Sequence, residues 1–479
     1  MKILKRILFT ILSLLAIVII TLTIIFFSVT GTPETVTDKV NDISQLNSIS
    51  VDRVVQPTSV SEIIDLVKNN AGPISIGGAR HSMGGQIGTE GSLHLDMRKF
   101  DSVTYYNREE RLITVQTGIT WRKIQEKIDG DNLSVRIMQS YADFTVGGSL
   151  SVNVHGRYIG EGPIIFSVKS IRVVLADGSL VDASRDLNQE IFFGCIGGYG
   201  GLGVIVEATL SLTDNCKVKQ QSELVDLNDY PEYFFKNIRN DTSVIFHNAD
   251  IYPDDDGQVR ATSYIRTGDP VTISERLVPA GKSYRVEQFA MWIVSEVPGG
   301  KTIRRKWADP IVFGKPSVRY RNYEASADAH ELEPVSRKNS TYVLQEYFVP
   351  VDEFKSFVPE MLSIFHKNDV NLINISIRHA RQDTSTLMSW AKTEVFAFVV
   401  YYKQGTTDDD KNKVGEWTRQ LVDAAVAHHG SYYLPYQLHA TEEQFHKAYP
   451  NATKFFELKK KLDPANKFRN KLWDRYLTL

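Results

Sequence analysis

The stretch ISIGGARHSMGGQ, residues 74–86, decides the fold of this chain. Its pattern predicts a buried strand that ends at a loop, in which four of the nine residues 77–85 are glycine. Such a loop lets several backbone N–H groups converge on one anion, usually a phosphate. His81 and Ser82 lie within it, in reach of whatever the glycines hold. Taken alone, the stretch is also compatible with a glycine-rich surface turn carrying a solvated histidine.

A second glycine-containing stretch, DFTVGGSLSVNVHGR, occupies residues 143–157. The paired glycines at 147 and 148 let a backbone approach a ring or a phosphate closely. The small residues after them suit a helix start packed beneath a cofactor. Taken alone, Asn153 and His155 are more typical of structural hydrogen bonding than of catalysis. Two ordered motifs favour a cofactor site more strongly than one.

A third stretch, GYGGLG at residues 198–203, formally matches the dinucleotide fingerprint. That fingerprint requires a strand before the glycines and a helix after them. Here the pattern predicts a helix over 188–193 before the glycines and a strand over 204–210 after them. The order is inverted, so we reject NAD binding.

Composition sets limits on the class of protein. The chain has 479 residues and a formal net charge of −2, which gives no reason to expect nucleic acid as a partner. Its two cysteines, Cys195 and Cys216, exclude a disulfide scaffold and a cysteine-based metal site. One disulfide between them stays open. The histidines and carboxylates show no metal-ligand spacing, so we expect no metal.

The N-terminus has its own character. Lys2, Lys5 and Arg6 precede an uncharged stretch, residues 7–29, which is longer than the apolar region of a signal peptide and has no clear cleavage site. We therefore predict a signal anchor with one transmembrane helix within residues 1–30. The positive-inside tendency predicts a cytoplasmic N-terminus and an extracytoplasmic catalytic part.

The rest of the chain mixes helix and strand patterns, so the predicted fold class is α+β. A helix is expected over 60–68 and a hairpin over 171–183, and strands over 343–349 and 395–402 alternate with helices over 354–365 and 413–428. Asp408, Asp409 and Asp410 are interpreted as a short solvated run. The predicted parts are an anchor (1–30), a connector (31–54), a cofactor domain (55–215), a substrate domain (216–435) and a C-terminal segment that returns to the cofactor domain (436–479).

The two glycine motifs resemble those of the vanillyl-alcohol oxidase / p-cresol methylhydroxylase family of FAD enzymes, and the spacing of Asn153 and His155 after Val-Gly-Gly is specific to it. The closing segments 432–437, 445–450 and 462–468 resemble the sugar oxidase branch, which includes aldonolactone oxidases, alditol oxidases and decaprenylphosphoryl-ribose oxidase. The resemblance covers nearly everything after residue 50. It implies an FAD domain built from both ends of the chain and an α+β substrate domain between them.

The resemblance also implies a set of FAD contacts, with His81 as the candidate for covalent attachment. The first motif wraps the FAD pyrophosphate in this family, and the third glycine stretch lies along the cofactor. The implied cofactor-binding residues are Ile76, Gly77, Gly78, Ala79, Arg80, His81, Ser82, Gln86, Gly118, Val146, Gly147, Gly148, Asn153, His155, Gly156, Gly203 and Ile205.

Two departures separate this chain from the relatives that it resembles. The decaprenylphosphoryl-ribose oxidases place a lysine at the position of Tyr436 and an arginine at that of His81. The alditol and lactone oxidases carry a His-Trp-Gly-Lys run that is absent here. Substrate contacts are therefore expected to differ from both. No cysteine lies near the second motif, so a double covalent link to FAD is not available.

Oxidation of an alcohol at a flavin requires hydride transfer to flavin N5 and loss of the hydroxyl proton. Residues 377–379 resemble the strand that presents an arginine to substrate in alditol oxidases, although a solvated strand face is the alternative. The predicted catalytic residues are Arg378, Tyr436 and His155. The predicted substrate-binding residues are Arg157, Gln345, Arg378, Tyr436 and Gln437.

The sequence thus predicts an FAD-dependent oxidoreductase acting on a CH–OH group of a sugar, polyol, aldonolactone or lipid-linked glycosyl substrate, with O₂ or a quinone as electron acceptor. The predicted anchor makes a membrane partner plausible. A flavin-free or inactive binding protein on the same fold is the alternative from another class. Flavin absorbance in the purified protein distinguishes the two.

Overall fold

The structure is a computed structural model that describes residues 2–28 and 39–477. The first helix, α1, spans Lys2–Ser28. In the described part of the chain, no helix is long and apolar enough to cross a membrane, so the predicted transmembrane helix is not supported. Residues 29–38, which include the end of the predicted anchor and part of the connector, lie outside the described residues. The topology of the chain stays a prediction.

Strands and helices alternate through the rest of the described chain. The strands are β1 Lys39–Val40, β2 Ile49–Ser50, β3 Arg53–Val55, β4 Ile74–Gly77, β5 Leu93–Asp96, β6 Val103–Asn107, β7 Leu112–Gln116, β8 Leu133–Val135, β9 Val168–Val174, β10 Leu180–Ser184, β11 Val204–Asp214, β12 Lys217–Asp226, β13 Val244–Tyr252, β14 Asp255–Arg266, β15 Val318–Tyr320, β16 Ser340–Pro350, β17 Leu372–Ala380, β18 Val395–Gly405 and β19 Ser431–Tyr432. The further helices are α2 Val60–Asn69, α3 Trp121–Ile128, α4 Val146–Ser151, α5 Gln189–Cys195, α6 Tyr230–Asn237, α7 Arg285–Glu296, α8 Gly300–Ile303, α9 Asp309–Phe313, α10 Arg321–Glu324, α11 Phe354–Lys367, α12 Asp408–Ala427, α13 Glu442–Ala448, α14 Ala452–Leu462 and α15 Lys471–Tyr476.

The first glycine motif begins at the end of a small parallel sheet. Its strands run in the order β3-β5-β4, and β4 delivers the chain into the loop that follows Gly77. Ile74 of β4 also forms a parallel bridge with Phe468 from the C-terminal segment. The sheet is therefore completed by residues from both ends of the chain.

Two larger antiparallel sheets flank the glycine motifs. The first has the order β10-β9-β11-β7-β6, with β8 also paired to β11. The second has eight strands in the order β15-β12-β14-β13-β17-β18-β16-β19. A continuous core of buried aliphatic and aromatic side chains joins them. The predicted α+β class is confirmed, and the predicted domain boundaries stay predictions.

Several local predictions are confirmed. The helix expected over 60–68 is α2, whose first turn is capped by Ser59 accepting a hydrogen bond from the Glu62 N–H. The expected hairpin is β9–β10, and the two are paired antiparallel from Leu180 opposite Val174. Helix α5 precedes the third glycine stretch and β11 follows it, which is the inverted order on which NAD binding was rejected.

Residues 408–410 are a solvated run, as the sequence predicts: Asp408 and Asp409 are exposed and Asp410 is half-buried. These three aspartates form the first turn of α12, which therefore starts five residues before the predicted helix. Thr407 caps the helix by accepting a hydrogen bond from the Asp410 N–H, and the Asp410 side chain accepts from the Thr407 N–H. Acidic side chains stabilise a helix N-terminus because the unsatisfied N–H groups there carry partial positive charge.

The C-terminal segment is tied to the third glycine stretch by a buried ion pair. The Lys459 ammonium donates to the Asp463 carboxylate at 2.7 Å and to the carbonyls of Gly201 and Phe468 at 2.8 and 2.9 Å. Neither side chain of the pair is exposed to solvent. Burial lowers the pKa of Lys459. The nearby Asp463 carboxylate acts in the opposite direction, because it favours the charged ammonium. The question of a disulfide is also settled, since Cys195 and Cys216 are both free.

Candidate active site

A large cavity lies where the three glycine stretches face the eight-stranded sheet. It encloses about 1730 Å³, including its open mouth. Residues of all three glycine stretches and of strands β16, β17 and β18 line it, so backbone from the glycines and side chains from the strands face the same space.

The first glycine loop forms one wall and is held by close packing rather than by large side chains. A Cβ on Gly78 would lie 2.1 Å from Oγ1 of Thr145, so this position admits no side chain without a shift of the second motif. A Cβ on Gly84 would lie 2.1 Å from the carbonyl oxygen of Tyr436. Arg80 between them adopts a left-handed φ of 65°. The loop is thus shaped by contacts with two distant parts of the chain.

Hydrogen bonds fix the same loop to the C-terminal segment. The side-chain amide of Gln86 donates to the carbonyls of Leu434 and Tyr436 at 2.6 and 2.8 Å, while its oxygen accepts from the Gly84 N–H at 2.9 Å. Gln437 donates to the carbonyl of Met83. Segment 434–437 therefore sets the position of the first glycine loop.

His81 projects from this loop with its ring held on two sides. Its Nε2 atom lies 3.0 Å from a carboxylate oxygen of Asp143, and its ring stacks on Phe144 with centroids 3.9 Å apart. Both partners belong to the second glycine motif. A carboxylate that accepts from Nε2 fixes the tautomer of the ring and leaves Nδ1 for another bond.

The second motif forms the floor of the cavity. Thr145 begins α4 by accepting a hydrogen bond from the Gly148 N–H, and the Gly147 N–H donates to the Thr117 carbonyl at 2.7 Å. Gly147 and Gly148 both line the cavity. Their missing side chains leave backbone exposed to whatever is bound there.

The polar groups of the cavity fit the cofactor that the sequence implies. The hydroxyls of Ser82 and Ser140 and the Nε atoms of Arg80 and Arg378 are buried, line the cavity and have no hydrogen-bond partner among the described residues. Buried polar atoms normally have partners. Three of these four lie beside the glycine loops, where FAD would supply phosphate, ribose and ring acceptors.

Strand β16 supplies the chemically active part of the opposite wall. Successive side chains of a strand point to opposite faces, so Tyr342, Leu344 and Glu346 all face the cavity. Gln345 points the other way, where its amide donates to the hydroxyls of Tyr402 and Thr418 at 2.9 and 2.8 Å. The prediction that Gln345 contacts substrate is therefore corrected by the strand register.

Glu346 connects two of the predicted catalytic residues. One of its carboxylate oxygens lies 2.6 Å from Nε2 of His155, and the other accepts from the Tyr436 hydroxyl at 3.4 Å. The side chains of His155 and Glu346 are each 3% exposed. Burial, together with the neighbouring Glu346 carboxylate, raises the pKa of Tyr436 well above its usual value, so its hydroxyl stays protonated. The three residues form a buried path for a proton that starts at the cavity.

Arg378 enters the same cavity from β17. Its register opposite Ala397 of β18 places it on the same face as Glu346. Its positive charge acts on the phenols of Tyr436 and Tyr141, whose pKa values burial nevertheless raises. Its buried Nε donor has no partner among the described residues. The guanidinium is thus placed to donate to a ligand oxygen.

Two other predicted substrate contacts lie outside the cavity lining. The Arg157 guanidinium pairs with Glu324 at 2.9 Å and donates to Asn248 at 3.3 Å. Its partners come from strands and helices that the sequence pattern did not bring near residue 157. Gln437 bonds to the glycine loop, as described above, and so supports the cavity from behind.

The predicted cofactor residues divide in the same way. Those that line the cavity are Ile76, Gly78, Ala79, Arg80, His81, Ser82, Gln86, Gly147, Gly148, His155, Gly203 and Ile205. Those that do not are Gly77, Gly118, Val146, Asn153 and Gly156. A Cβ on Gly118 would lie 1.8 Å from the Met97 carbonyl oxygen, and the Asn153 amide donates to Asp383 at 3.0 Å, so these two positions serve packing.

Sequence reasoning missed part of the lining. The signal available for Glu346 was the alternation of β16, which needs only the correct phase. No local sequence pattern predicts that residues in the segments between the strands, such as Leu332, Glu333 and Arg337, line the cavity. The missed lining residues include Thr117, Gln139, Ser140, Tyr141, Phe144, Thr145, Leu332, Glu333, Arg337, Tyr342, Leu344, Glu346, Val399, Tyr401 and Tyr433.

One carboxylate of the site also belongs to a small acidic group. Single ligand atoms of Asp143, Asp328 and His330 lie within 4.8 Å of one another. His330 donates to Asp328, and this hydrogen bond raises its pKa to about 9. The positive charge beside Asp143 is therefore the protonated imidazole of His330.

Comparisons with known proteins agree with this geometry. The family described as FAD binding domain matches residues 51–184, and the family described as D-arabinono-1,4-lactone oxidase matches residues 283–476. L-gulonolactone oxidase of Mus musculus is 21% identical over 431 residues, which cover 87% of this chain and 92% of that protein. Cytokinin dehydrogenase 2 of Arabidopsis thaliana is 26% identical over 186 residues, which cover 38% of this chain and only 37% of that protein.

The fold, the cavity and these matches define an FAD-dependent oxidoreductase. The N-terminal match is to an FAD-binding domain, and the C-terminal match is to the D-arabinono-1,4-lactone oxidase family.

Proposed function

We propose that this enzyme oxidises a CH–OH group of an aldonolactone or a closely related sugar and passes the electrons to O₂. The observation that carries the proposal is the joint presence of Arg378 and the buried path of Tyr436, Glu346 and His155 on one cavity wall. The match to the D-arabinono-1,4-lactone oxidase family supports the substrate class.

When bound, FAD supplies the acceptor for the hydride that leaves the substrate carbon. The residues of the chain have two tasks. Arg378 donates to a substrate oxygen and orients the carbon toward the glycine-lined side of the cavity. Glu346 takes the hydroxyl proton through Tyr436, whose own proton moves to the carboxylate as it accepts the one from substrate. His155 donates to Glu346 and keeps its carboxylate oriented.

We also propose that FAD is attached covalently through His81. The Asp143 carboxylate occupies Nε2, which leaves Nδ1 with the lone pair that a bond to the flavin requires. Denaturation in acid checks this: the flavin should remain with the precipitated wild-type protein and leave with the supernatant in His81→Ala. Release from the wild type would show that the bond does not form.

Anaerobic bleaching of the visible flavin band tests the function itself. Aldono-1,4-lactones should bleach the band, while simple polyols and glycosyl lipids should bleach it more slowly. Reoxidation by air should then produce hydrogen peroxide. Fast bleaching by a glycosyl lipid alone would show that the substrate is a lipid-linked sugar and not an aldonolactone. Reoxidation by a quinone but not by air would show that the electron acceptor is a quinone and not O₂. Protein purified without flavin would favour a binding role on the same fold.

A further inference from the structure

An exposed apolar surface lies on the helices inserted between β14 and β15. Its side chains point into solvent although they are large: Trp307 is 71% exposed, Ile311 80% and Val312 64%. Trp307 lies in the π-helical turn Arg304–Ala308, which joins α8 to α9. Ile303 and Ile311 lie four residues to either side of it and are also exposed, so the three side chains recur at about the spacing of one helix face. Monomeric soluble proteins rarely leave contiguous apolar patches of this kind uncovered.

The opposite face of the same segment is fixed to the protein. Asp309 is buried and accepts from the Tyr252 hydroxyl at 2.8 Å, and Arg305 pairs with Asp254 and Asp255 at 3.1 and 2.7 Å. A Cβ on Gly300 would lie 2.0 Å from the Ile293 carbonyl oxygen, so α8 packs directly against the end of α7. The apolar side chains are thus held outward by a rigid inner face.

Charge and composition favour a lipid surface as the occupant. Lys306 and Lys315 are exposed at the two ends of the stretch that carries Trp307 and Ile311. An amphipathic segment with tryptophan and branched aliphatic residues on one face and lysines at its edge is typical of helices that lie in a bilayer interface. Exposed lysines favour anionic lipids in particular.

Helix α1 meets the same part of the protein. The Phe26 ring packs edge-on against Phe289 of α7 with centroids 5.1 Å apart and lies 6.0 Å from Trp292. Further along α1, Ile19, Ile20 and Ile24 are exposed. Exposed apolar side chains thus occur both on the inserted helices and on α1, which contacts α7, the first of them.

We propose that the inserted helices, residues 300–315, bind the interface of an anionic lipid bilayer and set the enzyme on its surface. Trp307, Ile303, Ile311 and Val312 enter the boundary between headgroups and acyl chains, and Lys306 and Lys315 contact the headgroups. The other face of α7 supports the active-site cavity, because the Ser295 hydroxyl lies 2.6 Å from that of Tyr342, which lines it. The bound surface is therefore one helix away from the cavity wall.

Vesicle binding by the full chain, with α1 retained throughout, tests the proposal. The vesicles contain equal parts of phosphatidylcholine and phosphatidylglycerol. The triple variant Trp307→Ser, Ile311→Ser, Val312→Ser should co-sediment at least about tenfold less tightly, since the strength of such binding scales with the apolar area buried in the interface. The matched control Val54→Ser, Leu187→Ser, Leu224→Ser removes exposed apolar side chains elsewhere and should bind as the wild type does.

Fluorescence locates the contact independently. Brominated acyl chains should quench part of the tryptophan emission of the wild type, and that part should vanish in Trp307→Phe, although five other tryptophans remain of the six. Equal binding by both triple variants with no Trp307 quenching would overturn the proposal and leave α1 as the membrane contact. A lipid-free dimer that the Trp307 triple variant alone dissociates would also overturn it, in favour of a second copy of the chain.

Discussion

The two walls of the cavity are built in opposite ways. The glycine wall, residues 76–86 and 145–152, presents mostly backbone and small side chains, with Arg80 and His81 projecting from it, and is shaped by what its glycines exclude. The strand wall, formed by β16, β17 and β18, presents a carboxylate, a guanidinium and phenols at alternate positions of its strands. A backbone wall suits a large cofactor, and a wall of ionisable side chains suits proton transfer and orientation. Substitutions in the glycine wall should therefore reduce stability or flavin content, whereas substitutions in the strand wall should slow flavin reduction.

The largest expected effect is on stability, at the support of the glycine wall. Lys459→Met leaves Asp463 buried without its cation and removes the donor to Gly201. Breaking such a buried pair costs about 3–5 kcal/mol in the free energy of unfolding. Denaturant unfolding measures it, with the exposed Lys460→Met as the control expected to change little. A loss below 1 kcal/mol would show that the pair does not support this wall.

The strand wall should instead lose rate. Glu346→Gln removes the carboxylate that receives the proton, and we expect flavin reduction to slow by roughly 100-fold while the flavin stays bound. Its neighbour Gln345 faces away, so Gln345→Ala should leave the reduction rate unchanged and cost about 1–3 kcal/mol of stability through its lost buried hydrogen bonds. Stopped-flow absorbance compares the two. Slow flavin reduction in Gln345→Ala together with a wild-type rate in Glu346→Gln would show that Gln345, and not Glu346, faces the cavity.

The glycine wall should lose cofactor when a side chain is added. Gly78→Ala forces its Cβ against Thr145, and such overpacking costs roughly 1–3 kcal/mol. The purified variant should hold less flavin per chain than the wild type. Gly72→Ala, whose Cβ would meet its nearest atom at 4.0 Å, is the matched control and should keep its flavin. Equal flavin content in both variants would contradict the close fit between the two motifs.

A smaller effect should appear in the pH dependence of stability. Burial, with a contribution from the Arg80 charge, lowers the pKa of His94 to about 4. Because its pKa is depressed in the folded state, stability is lost as the pH falls from about 6.5 towards 4. His94→Gln should flatten this acid limb of the unfolding free energy.

His330 provides the opposite sign. Its pKa is raised to about 9 by Asp328, so its contribution is full below pH 6.5 and is lost as the pH rises through 9. His330→Gln should therefore leave the acid limb unchanged and flatten the alkaline limb. An acid limb that is the same in wild type and His94→Gln would show that His94 is protonated without cost.

The glycine wall was largely predictable from sequence, and the strand wall was not. Glycine density, an embedded His81 and the order of neighbouring elements are local signals, and they placed most of the loop correctly. Gly118 and Asn153 failed because the same residue types also serve packing, which depends on distant partners such as Met97 and Asp383.

In the strand wall, the phase of the alternation determines which side chains face the cavity. Gln345 was predicted to contact substrate and Glu346, one position away, was missed, because sequence alone does not say which face of β16 meets the cavity. Arg157 failed for a different reason: its partner Glu324 lies 167 residues further along the chain, and no local pattern links the two. The prediction for Arg378 is different, because this residue lies on the cavity face of β17 and lines the cavity as expected.

Anaerobic single-turnover reduction of wild type and Arg378→Ala by an aldono-1,4-lactone tests the central claim most directly. Arg381→Ala is the matched control, because that nearby arginine is exposed and stacks on Phe166. We predict that all three proteins carry flavin, and that Arg378→Ala alone is reduced about 100–1,000-fold more slowly, as expected for loss of one preorganised donor. Equal reduction rates in Arg378→Ala and the wild type, or a wild type that no lactone reduces, would contradict the account.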